Sequence, residues 1–485
     1  MRLPPVTTPT TSPAARAACL AALAALEAGE TARAEEILSG PLAAEPSDPN
    51  LLYLWGNCAL VRGDDAAALD RYARALAVVP DFPAVLLNVG FVHRRHHRLA
   101  AARAALERCI ALVPADEAAW INLVSTYVNE GEPAVGEAVA RRALEHHPSS
   151  ALVRWNLALV LLEQGRWEEG WREWVHRFPA GVVAARDFGQ GPAPPRLAGI
   201  ADLRPGQVVV CHGEQGIGDE ILFAGMLSEF AAAVAARGAT LLLDAAPRLR
   251  APFERSFGLE TWPRDAAGRG VGPRPDWIVA IGDLGGFFRR RAADFPDRGG
   301  YLATDADRVR AIRGGLTSRG GGRGPLVGLA WTGGSAHTHA RFRCVALEEW
   351  LPLLRLPATF VVLEYRDRSA EVAALAAEHG VEMILVPELA GSGEYDDVLH
   401  LVAALDHVVT VPTSVLHAAG AVGTPCTVVM HRRAAWRECS ADDRIPWYPR
   451  THRRIVRGAD EAGWERAVVE VAAEVAGTGR SPSGA

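Results

Sequence analysis

Lysine is absent from this chain of 485 residues, so all 51 of its basic side chains other than histidine are arginines. That excludes a Walker-type phosphate loop and pyridoxal chemistry, both of which depend on a lysine amine. Cysteine is sparse. The seven residues Cys19, Cys58, Cys109, Cys211, Cys344, Cys426 and Cys439 are scattered, with no C-x-x-C pair. The spacing argues against a zinc site or a disulfide framework and for the reduced thiols of a cytoplasmic protein. No apolar run is long enough to span a bilayer, so the chain is not expected to be integral to a membrane. Residues 1–13 lack the basic start and apolar core of a signal peptide. The net charge of -6 provides no basic field for a nucleic-acid backbone. What remains is a globular composition, with 49% apolar and 22% charged residues, on a chain long enough for two to four domains.

The first third repeats with a fixed period. Gly29, Gly63, Gly131 and Gly165 share one register, in which His97 takes the remaining place. Pro46, Pro80, Pro114 and Pro148 share a second register, and the small residues Ala34, Ala68, Ala102, Gly136 and Gly170 a third. The glycine ends one helix and turns the chain into the next, the small residue lets two helices approach, and the proline stops the second helix. Trp55, Tyr72, Trp120 and Tyr127 are bulky enough to fill gaps between such helices. This pattern resembles the tetratricopeptide repeat. The resemblance implies a solenoid over residues 15–178, whose concave face grips a protein partner. The tryptophans of the segment 167–177 suit a closing cap for the array, by buried packing rather than as a ligand platform. A proline-rich linker is expected over 179–205, with disordered ends at 1–14 and 479–485.

Beyond the linker, β-branched runs alternate with alanine-rich helical stretches, which predicts parallel sheets covered on both faces. Strands are expected at 207–211, 240–243 and 277–281, then at 326–331, 359–363, 383–386, 407–411 and 426–430. Helices are expected at 219–236 and 247–257, then at 347–354, 369–379, 396–404, 414–422 and 461–476. The division predicted is a lobe at 206–310, on the acceptor side, and a lobe at 311–478, on the nucleotide-sugar side. The pair Asp305 and Asp307 at the junction reads as helix capping rather than as a metal motif.

Three motifs carry chemistry. The first runs from Gly213 to Glu220, with Gly216 and Gly218 beside Asp219; its glycine order is not that of the dinucleotide fingerprint. Asp219 is a candidate general base, although a carboxylate here also suits the end of a helix. The second is Trp331-Thr-Gly-Gly-Ser335, whose Gly333 turn leads into His337, His339, Arg341 and Arg343. Its arginines can neutralise phosphate, while the histidines have no metal-ligand spacing. The third opens a helix at Thr413 and Ser414, with His417 one turn in. Free N–H groups and hydroxyls at such a helix end form a natural diphosphate site.

Together the three motifs and their order resemble glycosyltransferases linked to tetratricopeptide repeats. These are relatives of the heptosyltransferases and of protein O-GlcNAc transferase with the two-lobed GT-B fold. The similarity covers roughly residues 200–460, through Trp447-Tyr448-Pro449. It implies an inverting, metal-independent transfer from a nucleotide sugar, which is a substrate rather than a cofactor, to a hydroxyl of a protein such as flagellin. By the resemblance Asp219 is the base. Gly216, Gly218, Trp331, Gly333, Arg341, Arg343, Thr413, Ser414 and His417 are implied to bind the nucleotide sugar. Relatives usually have an aspartate where this chain has Pro412, so a repeat scaffold with a degenerate transferase domain is the rival expectation. A transferase acting on a cell-surface glycan is a further one.

Overall fold

The computed structural model describes residues 12–184, 186–188, 192–265, 269–334, 343–391, 393–431, 436–438, 444–448, 450–457 and 461–478. Nearly all of the two predicted disordered ends lies outside this set. The chain forms two compact units, Met1–Val160 and Leu161–Ala485. Among the described residues no helix is long and apolar enough to cross a membrane.

The first unit is a stack of antiparallel helix pairs: Pro13–Glu27 with Thr31–Ala44, Pro49–Val61 with Asp65–Val78, Pro83–Arg95 with Leu99–Leu112, and Glu117–Glu130 with Pro133–His146. The periodic residues occupy the turns. Gly29, Gly63 and Gly131 have φ of 78°, 80° and 72°, and Gly165, in the second unit, repeats this at 72°. His97 adopts φ of 53° in the same register, a left-handed conformation in which a side chain is strained. Each periodic proline falls two residues beyond its second helix.

Ala34, Ala68 and Ala102 are fully buried where paired helices cross. Gly56 and Gly90 complete the fit: an added Cβ would lie 2.4 Å from the Tyr72 ring and 2.5 Å from Leu106. Tyr72, Trp120 and Tyr127 are buried as expected. Trp55 is only partly buried, with the Arg71 guanidinium stacked 3.8 Å from its ring centre; such stacking offsets the exposure of an aromatic face.

The second unit is built on two all-parallel sheets. The first sheet has the order β2-β1-β3, from β1 (Val208–His212), β2 (Thr240–Asp244) and β3 (Trp277–Ala280). The second contains β4 (Leu326–Ala330), β5 (Thr359–Val362), β6 (Met383–Ile384), β7 (His407–Thr410), β8 (Cys426–His431) and β9 (His452–Arg457). Its order is β6-β5-β4-β7-β8-β9, the doubly wound arrangement in which the chain reverses direction between β4 and β7. The predicted strands all appear within a few residues of their expected bounds, and β9 is additional.

Three other expectations need correction. The helix expected at 219–236 is two helices, Ile217–Ala224 and Leu227–Ala236, broken at Gly225. The lobe junction holds a helix that was not among those expected, Ala306–Arg319, and Asp305 caps it as expected, its carboxylate accepting from the N–H groups of Asp307 and Arg308. The proline-rich linker is partly integrated: Pro195 accepts from Ile278 N–H, and Leu197 N–H donates to Ile278, alongside β3.

The tryptophan segment forms the helix Trp167–Trp174 and packs into the second unit. Trp171 meets Trp436 edge-on at 5.5 Å, and its indole N–H donates to Arg289 O at 2.7 Å. Arg177, which follows, is fully buried and bonds both oxygens of Glu214 at 2.8 Å. It also pairs with Asp283 at 2.7 Å. Glu214 belongs to the first motif, so that loop is held from below by a buried ionic network.

Candidate functional site

Ligands of open parallel sheets bind beyond the C-terminal strand ends, at the point where the strand order reverses. In the second sheet that point lies between the loops after β4 and β7. A cavity of about 410 Å³ opens there. Its floor is Thr332 to Gly334 and Pro412 to Val415; its roof, across from the first sheet, is Ile217, Gly218 and Asp219.

Thr413 caps the helix Ser414–Val422, its hydroxyl accepting from Val415 N–H at 3.1 Å. This leaves the positive end of the helix dipole facing the cavity. Gly333 is required for this packing, because a Cβ there would lie 2.7 Å from Thr413 Cγ2 and 2.8 Å from Pro412 O. Arg343, Arg437 and Arg248 bring positive charge to the cavity wall. Arg248 comes from the first lobe and bonds Gly393 O.

Asp219 stands opposite. Its Oδ1 pairs with Arg437 Nε at 2.5 Å, and its Oδ2 accepts a long bond, 3.4 Å, from Gly216 N–H. The capping contact expected of a carboxylate at this position is therefore present but weak. Arg437 also donates to Gln215 Oε1 at 2.8 Å, and Gln215 has φ of 61°. One arginine of the second lobe thus clasps the first motif at two points, one of them a strained residue.

Of the expected site residues, Gly218, Asp219, Gly333, Arg343, Thr413, Ser414 and His417 line this one cavity. Gly216 sits one step behind as the N-cap of the helix Ile217–Ala224. Trp331 does not reach the cavity. Its indole is fully buried in the core of the second lobe and donates to Glu371 at 3.0 Å, so its part in the motif is packing. Arg341, His337 and His339 lie outside the described residues.

Several wall residues were not legible as site residues. Glu364 accepts from the N–H groups of Trp331 and Thr332 at 2.8 and 2.7 Å and so shapes the loop after β4. Tyr395 and Ser414 adjoin in the wall, and burial raises the Tyr395 pKa. Glu438 is buried beside Arg343 and Arg437; desolvation raises its pKa, and the two arginines oppose the rise. Burial likewise pushes His417 down to about 3, helped by Arg437 and Arg343, so its imidazole is neutral. No local signal marks Arg437 or Glu438, since only the fold brings them to the first motif.

The tetratricopeptide-repeat family pattern matches residues 19–83 and 121–178, and the chain carries these repeats, which are protein-interaction elements. The chain is 30% identical to Protein FlbA of Caulobacter vibrioides over 441 residues. The match takes in 87% of this chain and 66% of FlbA, so the chain spans just under two thirds of that relative's length.

Among solved structures, PilF of Pseudomonas aeruginosa shares 20% identity, over 37% of this chain and 78% of that one, with a TM-score of 0.33. MamA shares 17%, over 33% and 94%, with a TM-score of 0.31. TTC0263 of Thermus thermophilus shares 19%, over 34% and 90%, with a TM-score of 0.29.

Proposed function

We propose that the second unit is an inverting, metal-independent glycosyltransferase of the GT-B type. In this reading the donor diphosphate lies on the end of the Ser414 helix, with Arg343 and, by resemblance, Arg341 offsetting its charge. The acceptor hydroxyl approaches from the side of Asp219. Its oxygen forms a bond to the anomeric carbon as the bond to the diphosphate oxygen breaks. The electron pair leaves with the phosphate, and the proton passes to the Asp219 carboxylate.

One observation carries the reading: Asp219 and the Thr413–Ser414 helix end face a single cavity from opposite lobes. The repeats support a protein as acceptor, and flagellin is the class that the resemblance implies.

Calorimetric titration of the purified chain with UDP, ADP, GDP and CMP tests this. Selective binding of one nucleotide, lost when Thr413 and Ser414 are both replaced by alanine, is the expected result. Silence from all four would overturn it. A second reading, a repeat scaffold with an inactive transferase domain, is favoured by Pro412, which stands in the cavity wall at the place where the resemblance implies that an aspartate is usual. Nucleotide affinity without turnover would mark that alternative.

A further inference from the structure

The segment that carries Arg437 is docked along the helix that carries Asp219. Asp219 and Phe223 lie four residues apart on the helix Ile217–Ala224, which places them on one face, a turn apart. Trp436 and Arg437 are consecutive in the short helical turn Trp436–Glu438. The Trp436 ring is stacked on Phe223, with centres 6.3 Å apart and 27° between the planes, and the Arg437 guanidinium is paired with Asp219 at 2.5 Å. Neighbouring residues of the second lobe thus meet neighbouring positions on one face of a first-lobe helix.

The aromatic half of this contact lies in a packed cluster. Phe223 is fully buried and Trp436 nearly so, and Trp174 meets both edge-on, at 6.2 and 5.2 Å. Packing of this kind holds side chains in defined rotamers. The guanidinium is fixed in turn, 5.0 Å from the Trp436 ring centre and by the bond from its Nη2 to Gln215 Oε1. Among the described residues that is its one directed hydrogen bond, and the contact with Asp219 is one of charge. A fixed planar cation therefore faces a carboxylate whose one hydrogen bond, among the same residues, is the long one from Gly216 N–H.

We propose that Arg437 is the positioning residue for Asp219: it sets where the base carboxylate stands and acts on transfer through that carboxylate. The charge of the donor diphosphate is then answered by Arg343 and the end of the Ser414 helix. This role rests on the transferase reading. Lysine cannot fill it, because an ammonium is a point charge without the planar fork that spans Asp219 and Gln215.

Release of nucleotide from sugar conjugates of UDP, ADP, GDP and CMP, with water in the acceptor's place, tests this in the full chain. Arg437→Lys keeps the positive charge, so nucleotide affinity measured by calorimetry should stay within about twofold, which also shows that the variant is folded. Turnover should fall about 10- to 100-fold, the scale of loss when a reacting group is displaced by about 1 Å. In an Asp219→Asn chain the same substitution should cost no more than about twofold further, because nothing is left to position.

Losses that multiply would mean that Arg437 acts on the leaving phosphate by itself, and so would an equal fall in affinity and turnover. Either result overturns the assignment, as does full turnover by Arg437→Lys. If the unsubstituted chain cleaves none of the conjugates, the transferase reading falls and this role with it.

Discussion

Gly218 in the first lobe packs edge-on against His417 in the second: a Cβ added to the glycine would lie 2.9 Å from His417 Cδ2. The two candidate motifs therefore touch through a position that admits no side chain.

Gly218→Ala should force the loop and the ring apart. Overpacking of this kind costs ~1–3 kcal/mol. Because the clash lies between the lobes, nucleotide affinity should fall more than thermal stability does. Calorimetry beside a melting curve checks this; a variant that binds normally would show that the lobes part without consequence for the site.

Asp219→Asn should lower glycosyl transfer by about 10²–10⁴, the usual value of general-base assistance, while nucleotide affinity stays nearly unchanged. Asparagine keeps the shape and can still accept from Gly216 N–H, so only the proton acceptor and the Arg437 ion pair are lost. Full turnover by this variant would remove Asp219 from the role of base.

Glu220 gives a pH-dependent stability test. Burial raises its pKa from the ordinary 4.5 to about 7, opposed by Ala246 N–H and by Arg186. A carboxyl raised in the folded state binds more protons there than in the unfolded chain between these two values. Its contribution is therefore complete below about pH 4.5 and lost as pH rises through 7, by at most ~3 kcal/mol. Glu220→Gln, neutral throughout and still able to accept from Ala246, should match the parent in acid and exceed it at pH 8. Paired melting curves at the two pH values measure this, and the protonation of buried histidines cancels between parent and variant. A constant difference across that range would contradict the assignment.

His97→Gly should stabilise the repeat unit by ~1 kcal/mol. The left-handed turn strains a residue with a Cβ by somewhat more than glycine loses in chain entropy. Chemical denaturation followed by helical circular dichroism measures it. Destabilisation would mean that contacts of the imidazole outweigh the backbone strain.

The repeats were legible because their punctuation is local: a glycine or proline acts on its own turn, whatever lies beyond it. Strand β9 was missed for the opposite reason. His452-Arg-Arg-Ile-Val-Arg457 looks polar, and only pairing along β8 makes it a strand at the edge of the sheet. The helix Ala306–Arg319 was obscured by Gly314 and Gly315, which read as breakers but lie within it.

At the site, motif glycines and the Thr413–Ser414 cap were readable because a strand followed by a helix end has a recognisable local chemistry. Trp331 misled because an aromatic residue beside a glycine turn looks the same whether it faces a ligand or the core. Arg437 could not be found in advance, since its meaning comes from Asp219 and Gln215, which only the folded chain brings to it.

The Ser414 helix that offers its N-terminus to the cavity ends at Gly423, and there the chain crossing between the lobes lies directly on it. A Cβ at Gly423 would fall 1.7 Å from Gly299 O, and Tyr301 and Leu302 N–H both donate to Ala421 O at 2.7 and 2.8 Å. Neither Gly423 nor Gly300, where a Cβ would fall 2.9 Å from Gly423 N, can acquire a side chain alone. In the descent of such proteins the two stretches, far apart along the gene, must drift together or not at all.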